Sequence, residues 1–392
     1  MSENEMENRG SKSEIQHPLP NKFSVKEQRV DGSCFDFISK LRYTLMGCES
    51  SYLIKIPSKQ LNSRNSKYNY STLISSLAKH RVASATQKIV EINPWFVTGL
   101  TDAKGNFIIN TQFNKKLKTK WRIKPIFSIT LYKKEILLLK TIHNYFNVGK
   151  ISLIKNTVIY TVETMKDMAV IINHFDNYPL ITQKLSDYLI FKSCFDLIKQ
   201  KKHLTEKGLL EIMSLKDNLN LGLAEHIKNV FPNIKIIKIP KYEFKGIPDP
   251  FWVSGFTSGY GSFNIEFRKT GQVFLRFSLQ LHSRDLEVFK GIDTYFKQNI
   301  IYEEKENKTK MSRFVTAAIA GYVKLQITKN LEIKNIIIPF FDKYPLIGMK
   351  ILDFEEFKKV HIIIENKEYL TNPSLLFKLK QIKSGMNLLR SK

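Results

Sequence analysis

Two stretches of the chain share one arrangement of apolar, small and polar positions. Pro94 to Phe107 reads PWFVTGLTDAKGNF, and Pro250 to Phe263 reads PFWVSGFTSGYGSF. Each predicts a short helix, because an N-cap residue, Asn93 or Asp249, precedes a proline at the first helical position. A glycine then ends the helix, and a run with strand periodicity follows. The chain therefore contains two similar helix-to-strand units.

Small residues recur every four positions within both predicted helices. The pairs Thr98/Asp102 and Ser254/Ser258 follow this spacing. Residues four apart lie on one helix face, and small side chains there let two backbones approach closely. We therefore expect the two helices to pack together. The expected interface residues are Gly99, Ala103, Gly255 and Gly259.

Strand and helix periodicities alternate after each motif helix. In the first copy we expect a hairpin of Asn106–Asn114 and Trp121–Leu131, a helix at Glu135–Phe146, a hairpin within Lys150–Thr164, and helices at Met165–Phe175 and Thr182–Lys202. In the second copy we expect strands at Ser262–Arg268 and Val273–Leu281, a helix at Asp285–Phe296, strands at Ile300–Tyr302 and within Ser312–Thr328, and then helices. This order predicts an α+β fold with antiparallel sheets.

The two copies are a tandem duplication. HFDNYPLITQK, which contains Tyr178, recurs as FFDKYPLIGMK, which contains Tyr344, 166 positions later. The dipeptide Leu204-Thr205 recurs as Leu370-Thr371 at the same separation. Collinear matches of this kind indicate an internal repeat. The expected organisation is a leader at 1–90, half-domains at 91–230 and 250–392, and a linker at 231–249.

The leader differs in composition from the rest of the chain. It is rich in Ser, Asn and Lys without clear periodicity, which predicts a poorly ordered segment. Its early acidic residues Glu3, Glu5 and Glu7 argue against a mitochondrial presequence, which is poor in acids. Within it, the apolar stretch Leu41 to Ile56 predicts a strand or a short helix.

The charge narrows the range of partners. Lys and Arg total 62 against 36 Asp and Glu, which gives a net charge of +26 and favours a polyanion such as DNA or RNA. An anionic membrane is the competing partner, but no run approaches the roughly 18 apolar residues of a spanning helix. Cys34, Cys48 and Cys194 form no CxxC pair and the histidines do not cluster, so neither a disulfide framework nor a zinc site is indicated. This cysteine usage suggests a reducing compartment.

Polar residues at period two give the first two strands of each copy a candidate nucleic-acid face. A β-ribbon fits the DNA major groove, where Asn, Gln, Arg and Lys pair with base edges. A merely solvated sheet face also shows this period, but Asn and Gln are poor strand formers, so their density favours DNA contact. The expected contacts are Asn106, Ile108, Asn110, Gln112, Asn114, Lys120, Arg122, Lys124, Ser128, Ser262, Asn264, Glu266, Arg268, Arg276, Ser278 and Gln280.

These motifs resemble the single-chain LAGLIDADG homing endonucleases. VTGLTDAKG (Val97–Gly105) and VSGFTSGYG (Val253–Gly261) align with the nine-residue motif of that family, and the YPLI segments resemble its fungal mitochondrial branch. The resemblance implies two pseudo-symmetric αββαββα half-domains joined through the motif helices. It further implies that the antiparallel sheets form a saddle over a long double-stranded DNA site, that the protein is a monomer, and that it is encoded in a mitochondrial intron.

The resemblance also places the family's catalytic carboxylates, and here the sequence departs from it. The two acids that would hold Mg²⁺ are replaced by Lys104 and Tyr260. An ammonium repels a divalent ion by roughly 4 kcal/mol per unit charge pair at 4 Å with an effective dielectric near 20, and a neutral phenol is a poor magnesium ligand. Asp102 points away on a helix and is expected to be structural. We therefore expect weak or absent Mg²⁺ binding.

These observations predict sequence-specific binding of double-stranded DNA with cleavage impaired or lost. Three alternatives stay open: an RNA-binding intron maturase, an eroded reading frame without a selected role, and an active endonuclease that uses other ligands, such as a repositioned Glu266. A basic surface suits either nucleic acid, so charge alone does not separate DNA from RNA.

Overall fold

A computed structural model describes residues 92–219, 222–232, 234, 242–298, 313–317 and 321–387. The part described contains two copies of one α+β arrangement, each with a four-stranded antiparallel sheet, which confirms the expected fold class. The leader, including the apolar stretch 41–56, lies outside the described residues. So do the strand expected at 300–302 and part of the proposed linker.

The first copy follows the expected order of elements. Its elements are α1 (Pro94–Lys104), β1 (Gly105–Phe113), β2 (Trp121–Tyr132), α2 (Ile136–Phe146), β3 (Lys150–Ile154), β4 (Thr157–Val162), α3 (Met165–Asn177), α4 (Lys184–Lys199), α5 (Glu206–Lys216) and α6 (Glu225–Val230). The helix expected from Thr182 to Lys202 is shorter at both ends. Helices α5 and α6 were not among the expected elements.

The second copy repeats this order through nine further described elements. These are α7 (Pro250–Tyr260), β5 (Ser262–Phe267), β6 (Val273–His282), α8 (Leu286–Gln298), β7 (Arg313–Ala317), β8 (Tyr322–Ile327), α9 (Asn330–Glu332, a π-helical turn Ile333–Ile337 and Ile338–Lys343), α10 (Lys350–Glu365) and α11 (Pro373–Ser384). Arg268, expected on a strand, lies in the turn after β5.

Each sheet buries one face and leaves the other for polar side chains. The strand orders are β1-β2-β4-β3 and β5-β6-β8-β7. In β1, Phe107 and Ile109 are buried, whereas the residues that alternate with them, Asn106, Ile108 and Asn110, are partly exposed. Phe107 packs against Phe175 of α3 and Phe191 of α4, which places these helices beneath the sheet. The alternation therefore assigns the even-numbered positions of β1 to the opposite, open face.

Helices α1 and α7 pack side by side with their C-terminal ends together. A Cβ atom added at Gly99 would lie 2.0 Å from the carbonyl oxygen of Trp252, and one at Gly255 would lie 2.0 Å from that of Phe96. Towards the C-terminal ends, a Cβ at Gly259 would lie 2.4 Å from the Cβ of Ala103. The glycines expected at the interface are therefore required because the two backbones approach too closely for any side chain.

The glycines that end these helices serve a different purpose from the one expected. Gly105 has φ −74° and ψ 155°, an extended conformation open to any residue, and not the left-handed one of a helix-ending glycine. A Cβ at Gly105 would instead lie 2.4 Å from the Cγ2 of Thr101. Gly261 meets Thr257 in the same way at 2.3 Å. Space, and not backbone conformation, requires glycine at both positions.

The two YPLI segments are tied to the motif helices by equivalent hydrogen bonds. The Oγ1 of Thr98 donates to the carbonyl oxygen of Tyr178 at 2.9 Å. In the second copy, the Oγ of Ser254 donates to the carbonyl oxygen of Tyr344 at 2.7 Å. Small hydroxyl residues in α1 and α7 therefore fix the segments that lead into α4 and α10.

Candidate nucleic-acid interface and metal position

The predicted contact residues of the first copy lie opposite one another on the open face of one sheet. In the register of β1 and β2, Asn110 pairs with Lys124 and Gln112 pairs with Arg122. Asn106 pairs with Ser128, which is 8% exposed, so this serine lies at the buried end of the patch. Ile108 lies opposite Ile126 and adds an apolar step. Apart from this apolar pair, the two strands form one polar ribbon.

The second sheet presents the equivalent ribbon. Ser262 pairs with Ser278, which is 4% exposed, and Asn264 pairs with Arg276. Gln280 lies opposite Lys324 of β8, which the sequence analysis did not select. Burial and the neighbouring Arg276 charge both lower the pKa of Lys324.

Three charged residues within the ribbons, Lys124, Glu266 and Arg276, form ion pairs. The Nη2 of Arg276 lies 2.6 Å from the Oε1 of Glu266, and the Nζ of Lys383 lies 3.9 Å from its Oε2. In the first copy, the Nζ of Lys124 lies 2.6 Å from the Oε2 of Glu163 at the end of β4. These ion pairs hold the cations in defined positions on the open faces. They also engage both carboxylate oxygens of Glu266 with an arginine and a lysine.

Three predicted contact residues lie in turns instead of on strands. The Oδ1 of Asn114 accepts a hydrogen bond from the backbone N–H of Lys116 at 3.1 Å. Lys120 has a φ of 57° in the β1–β2 turn. The guanidinium of Arg268 lies 5.0 Å from the ring centroid of Phe274. Strand alternation does not extend past Phe113 and Phe267, so these residues do not belong to the ribbons.

Lys104 and Tyr260, the last residues of the two motif helices, contact each other. The ammonium of Lys104 lies 4.1 Å from the centroid of the Tyr260 ring, a cation–π contact. Both side chains are partly exposed. Burial, with Lys350 and Lys184 adding to it, lowers the pKa of Lys104 to about 8. The point where the family would have two carboxylates therefore holds a cation on an aromatic ring.

Two further lysines, which were not among the expected site residues, lie near Lys104. Lys184 and Lys350 begin the equivalent helices α4 and α10 and lie close enough to Lys104 to lower its pKa. The Nζ of Lys350 lies 3.8 Å from the Oδ2 of Asp353. Both lysines occupy the same position in the two repeated YPLI segments, and this repetition could have identified them from the sequence.

Reciprocal carboxylates fix these lysines across the two halves. The Oε2 of Glu135 accepts a hydrogen bond from the N–H of Met349 at 2.9 Å. The Oδ1 of Asp285 accepts one from the N–H of Gln183 at 2.8 Å. Each acid thus satisfies a backbone donor just before a helix of the other half, where helix ends lack partners. Burial raises the pKa of Glu135.

Asp102 is occupied by structural hydrogen bonds. Its Oδ2 accepts from the N–H of Ile181 at 3.0 Å and from the Nε1–H of Trp252 at 2.8 Å. Its Oδ1 accepts from the hydroxyl of Thr182 at 2.6 Å. Burial, partly offset by these bonds, raises its pKa to about 6. The equivalent Ser258 donates to the carbonyl oxygen of Ser254 at 2.9 Å.

The residues at the helix ends do not fit a divalent metal ion. Hard cations take several oxygen ligands, mostly carboxylates, whereas this position presents an ammonium and a phenol. Throughout the described ranges, no group of three His, Cys, Asp or Glu residues could hold a metal. The arrangement suits the binding of an anion.

The charge of Lys104 has a consequence for stability. Its folded pKa of about 8 lies below the ordinary lysine value of 10.5, so the unfolded chain holds the proton more tightly between these pH values. Stability should therefore rise with pH from 8 upward, by about 2 kcal/mol after allowance for partial exposure. Denaturant unfolding at pH 7 and pH 9.5 measures this gain relative to Lys104→Met. The exposed Lys199→Met is the matched control, and an equal pH response in all three proteins contradicts the assignment.

The regions that begin with the two motif helices match a known protein family. The family model described as LAGLIDADG endonuclease matches residues 97–195 and 253–361, which begin within α1 and α7. The chain belongs to the LAGLIDADG endonuclease family. Probable intron-encoded endonuclease 3 of Neurospora crassa is 34% identical over 395 residues, covering 95% of this chain and 68% of the relative. Probable intron-encoded endonuclease 2 of the same fungus is 37% identical, covering 72% of this chain and 63% of the relative.

Solved LAGLIDADG structures share the fold and were determined with DNA. The meganuclease I-CpaMI bound to uncleaved DNA is 42% identical, has a TM-score of 0.68, and covers 76% of this chain and 99% of its own. I-SmaMI bound to cleaved DNA is 35% identical, has a TM-score of 0.71, and covers 76% of this chain and 98% of its own. I-SmaMI was also determined on uncleaved DNA with calcium ions, in keeping with the metal dependence of the family.

Proposed function

We propose that this LAGLIDADG protein binds a long double-stranded DNA site sequence-specifically and does not cleave it with metal ions. The observation that carries the proposal is the Lys104–Tyr260 contact at the ends of the motif helices. A cation and a neutral ring occupy the two positions where carboxylate oxygens would bind Mg²⁺. Without a bound Mg²⁺, the site lacks the ion that would activate water and stabilise the leaving oxygen. Within the described chain, no other carboxylate cluster offers a metal site.

The binding surface is retained while the chemistry is lost. Two polar ribbons place Asn, Gln, Arg and Lys side chains on open sheet faces, a set suited to reading base edges. A net charge of +26 supports many phosphate contacts. None of the helices in the described part is long and apolar enough to cross a bilayer. We also propose that the protein is mitochondrial, which its similarity to fungal intron-encoded relatives supports, and that it acts as a monomer.

The test begins with selection of a target from a random duplex library by the purified protein. We expect one enriched site, bound at least about 10³-fold more weakly at 200 mM than at 50 mM salt, since several phosphates are neutralised. A plasmid carrying that site should stay intact with Mg²⁺ or Mn²⁺. Cleavage of the plasmid, or equal binding to unrelated duplexes, contradicts the proposal. The host intron RNA is the competitor, and preferential binding to it favours a maturase instead.

A further inference from the structure

The cationic point at the helix ends lies where the two polar ribbons begin. β1 starts at Gly105, directly after Lys104, and β5 starts at Ser262, two residues after Tyr260. Because α1 and α7 end together, the two strands leave from neighbouring positions. A duplex that lies on both open faces must therefore pass over Lys104.

The ammonium of Lys104 has no acidic counter-charge within the described residues. It lies over the Tyr260 ring, and the charges that act on its pKa are those of Lys184 and Lys350. A partly buried cation without an anionic partner is costly, and neighbouring cations raise that cost. An incoming anion that satisfies the ammonium removes this cost.

The geometry points to Lys104 as a phosphate-binding residue, which takes a non-bridging oxygen of a DNA backbone phosphodiester at the centre of the bound site without a metal ion. This inference rests on the proposed function, because the duplex must lie across both sheets. The Tyr260 ring contacts the ammonium itself, and Lys104 as a residue is partly exposed. Lys184 and Lys350 directly follow the backbone N–H groups that Asp285 and Glu135 bond, and their positive charges add to the attraction for the same DNA backbone.

The experiment combines protein and DNA changes in one cycle, with EDTA present throughout. Single methylphosphonates, which are neutral, replace the phosphates of the central base pairs of the selected duplex one at a time. We expect about tenfold weaker binding by the wild-type protein at one central phosphate, as for loss of one charged hydrogen bond. Lys104→Met should bind the natural duplex about tenfold more weakly, with a salt slope lower by about 0.9. It should also be insensitive to the methylphosphonate at that position.

Matched variants separate this contact from a general loss of charge. Lys199→Met removes an exposed charge from α4, in the layer beneath the sheet, and should leave the central phosphate effect unchanged. Lys104→Arg keeps the cation and should retain the wild-type salt slope. Wild-type binding that is indifferent to every central methylphosphonate overturns the inference, even if Lys104→Met does not fold. Metal-dependent cutting by the wild type is a separate result, which overturns the proposed function alone.

Discussion

Lys104→Glu combined with Tyr260→Glu should turn this protein into a metal-dependent nuclease. The change places one carboxylate at the end of each motif helix, where the side chains now in contact show that the two positions adjoin. With the Lys104 ammonium removed, the negative ends of both helix dipoles, which also lie there, favour a bound cation. Metal-assisted hydrolysis gains several kilocalories per mole, so we expect single-turnover cleavage of the selected site about 10³-fold above wild type with Mg²⁺.

The neutral pair Lys104→Gln with Tyr260→Phe is the control for this gain. It removes the ammonium and the hydroxyl without adding a carboxylate, and should stay as inactive as the wild type. Cleavage should disappear in EDTA. A double glutamate variant that binds its target but leaves it intact would show that the retained architecture lacks more than the two acids.

Gly99→Ala should destabilise the protein by about 3 kcal/mol, the upper part of the range for overpacked positions. The new methyl group would lie 2.0 Å from the backbone oxygen of Trp252, which cannot rotate away as a side chain can. The two helices must therefore separate, and the two ribbons with them. Thermal and denaturant unfolding measure the stability. A gel shift on the selected site measures DNA binding, which should weaken because the two halves are displaced.

Gly385→Ala is the matched control for this substitution. Gly385 has a negative φ of −92°, and an added Cβ there would have its nearest neighbour at 3.6 Å, an ordinary contact. Gly385→Ala should change the free energy of unfolding of the protein by less than about 0.5 kcal/mol, as for most surface substitutions. Equal effects of the two alanines would mean that α1 and α7 are not held at the distance described.

Local sequence signals predicted much of this structure because they act over a few residues. Asn93 caps α1, with its Oδ1 accepting from the N–H of Trp95 at 2.8 Å, and Asp249 caps α7 in the same way. Period-two polarity predicted which residues of β1 and β2 share the open face. These features depend on neighbours in the chain, so a single sequence contains them.

Contacts between distant segments could not be predicted in this way. Nothing near Glu135 or Asp285 in the sequence indicates that each would bond the backbone of the other half. The grouping of Lys184 and Lys350 with Lys104 likewise depends on how the two copies dock. The contact of Lys104 with Tyr260 follows from packing, although the family alignment had already brought the two positions into question.

The Lys104–Tyr260 contact also bears on the order of events in the history of the protein. A symmetric dimer of identical chains would place two lysines, or two tyrosines, at the helix ends, and two ammoniums there would repel each other. A mutually favourable mismatched pair became available only once gene duplication had let the halves mutate separately. The pair therefore requires two halves that differ in sequence, and each residue now favours retention of the other. Under the proposed function, a return to cleavage needs two coordinated substitutions, a barrier that a single mutation does not cross.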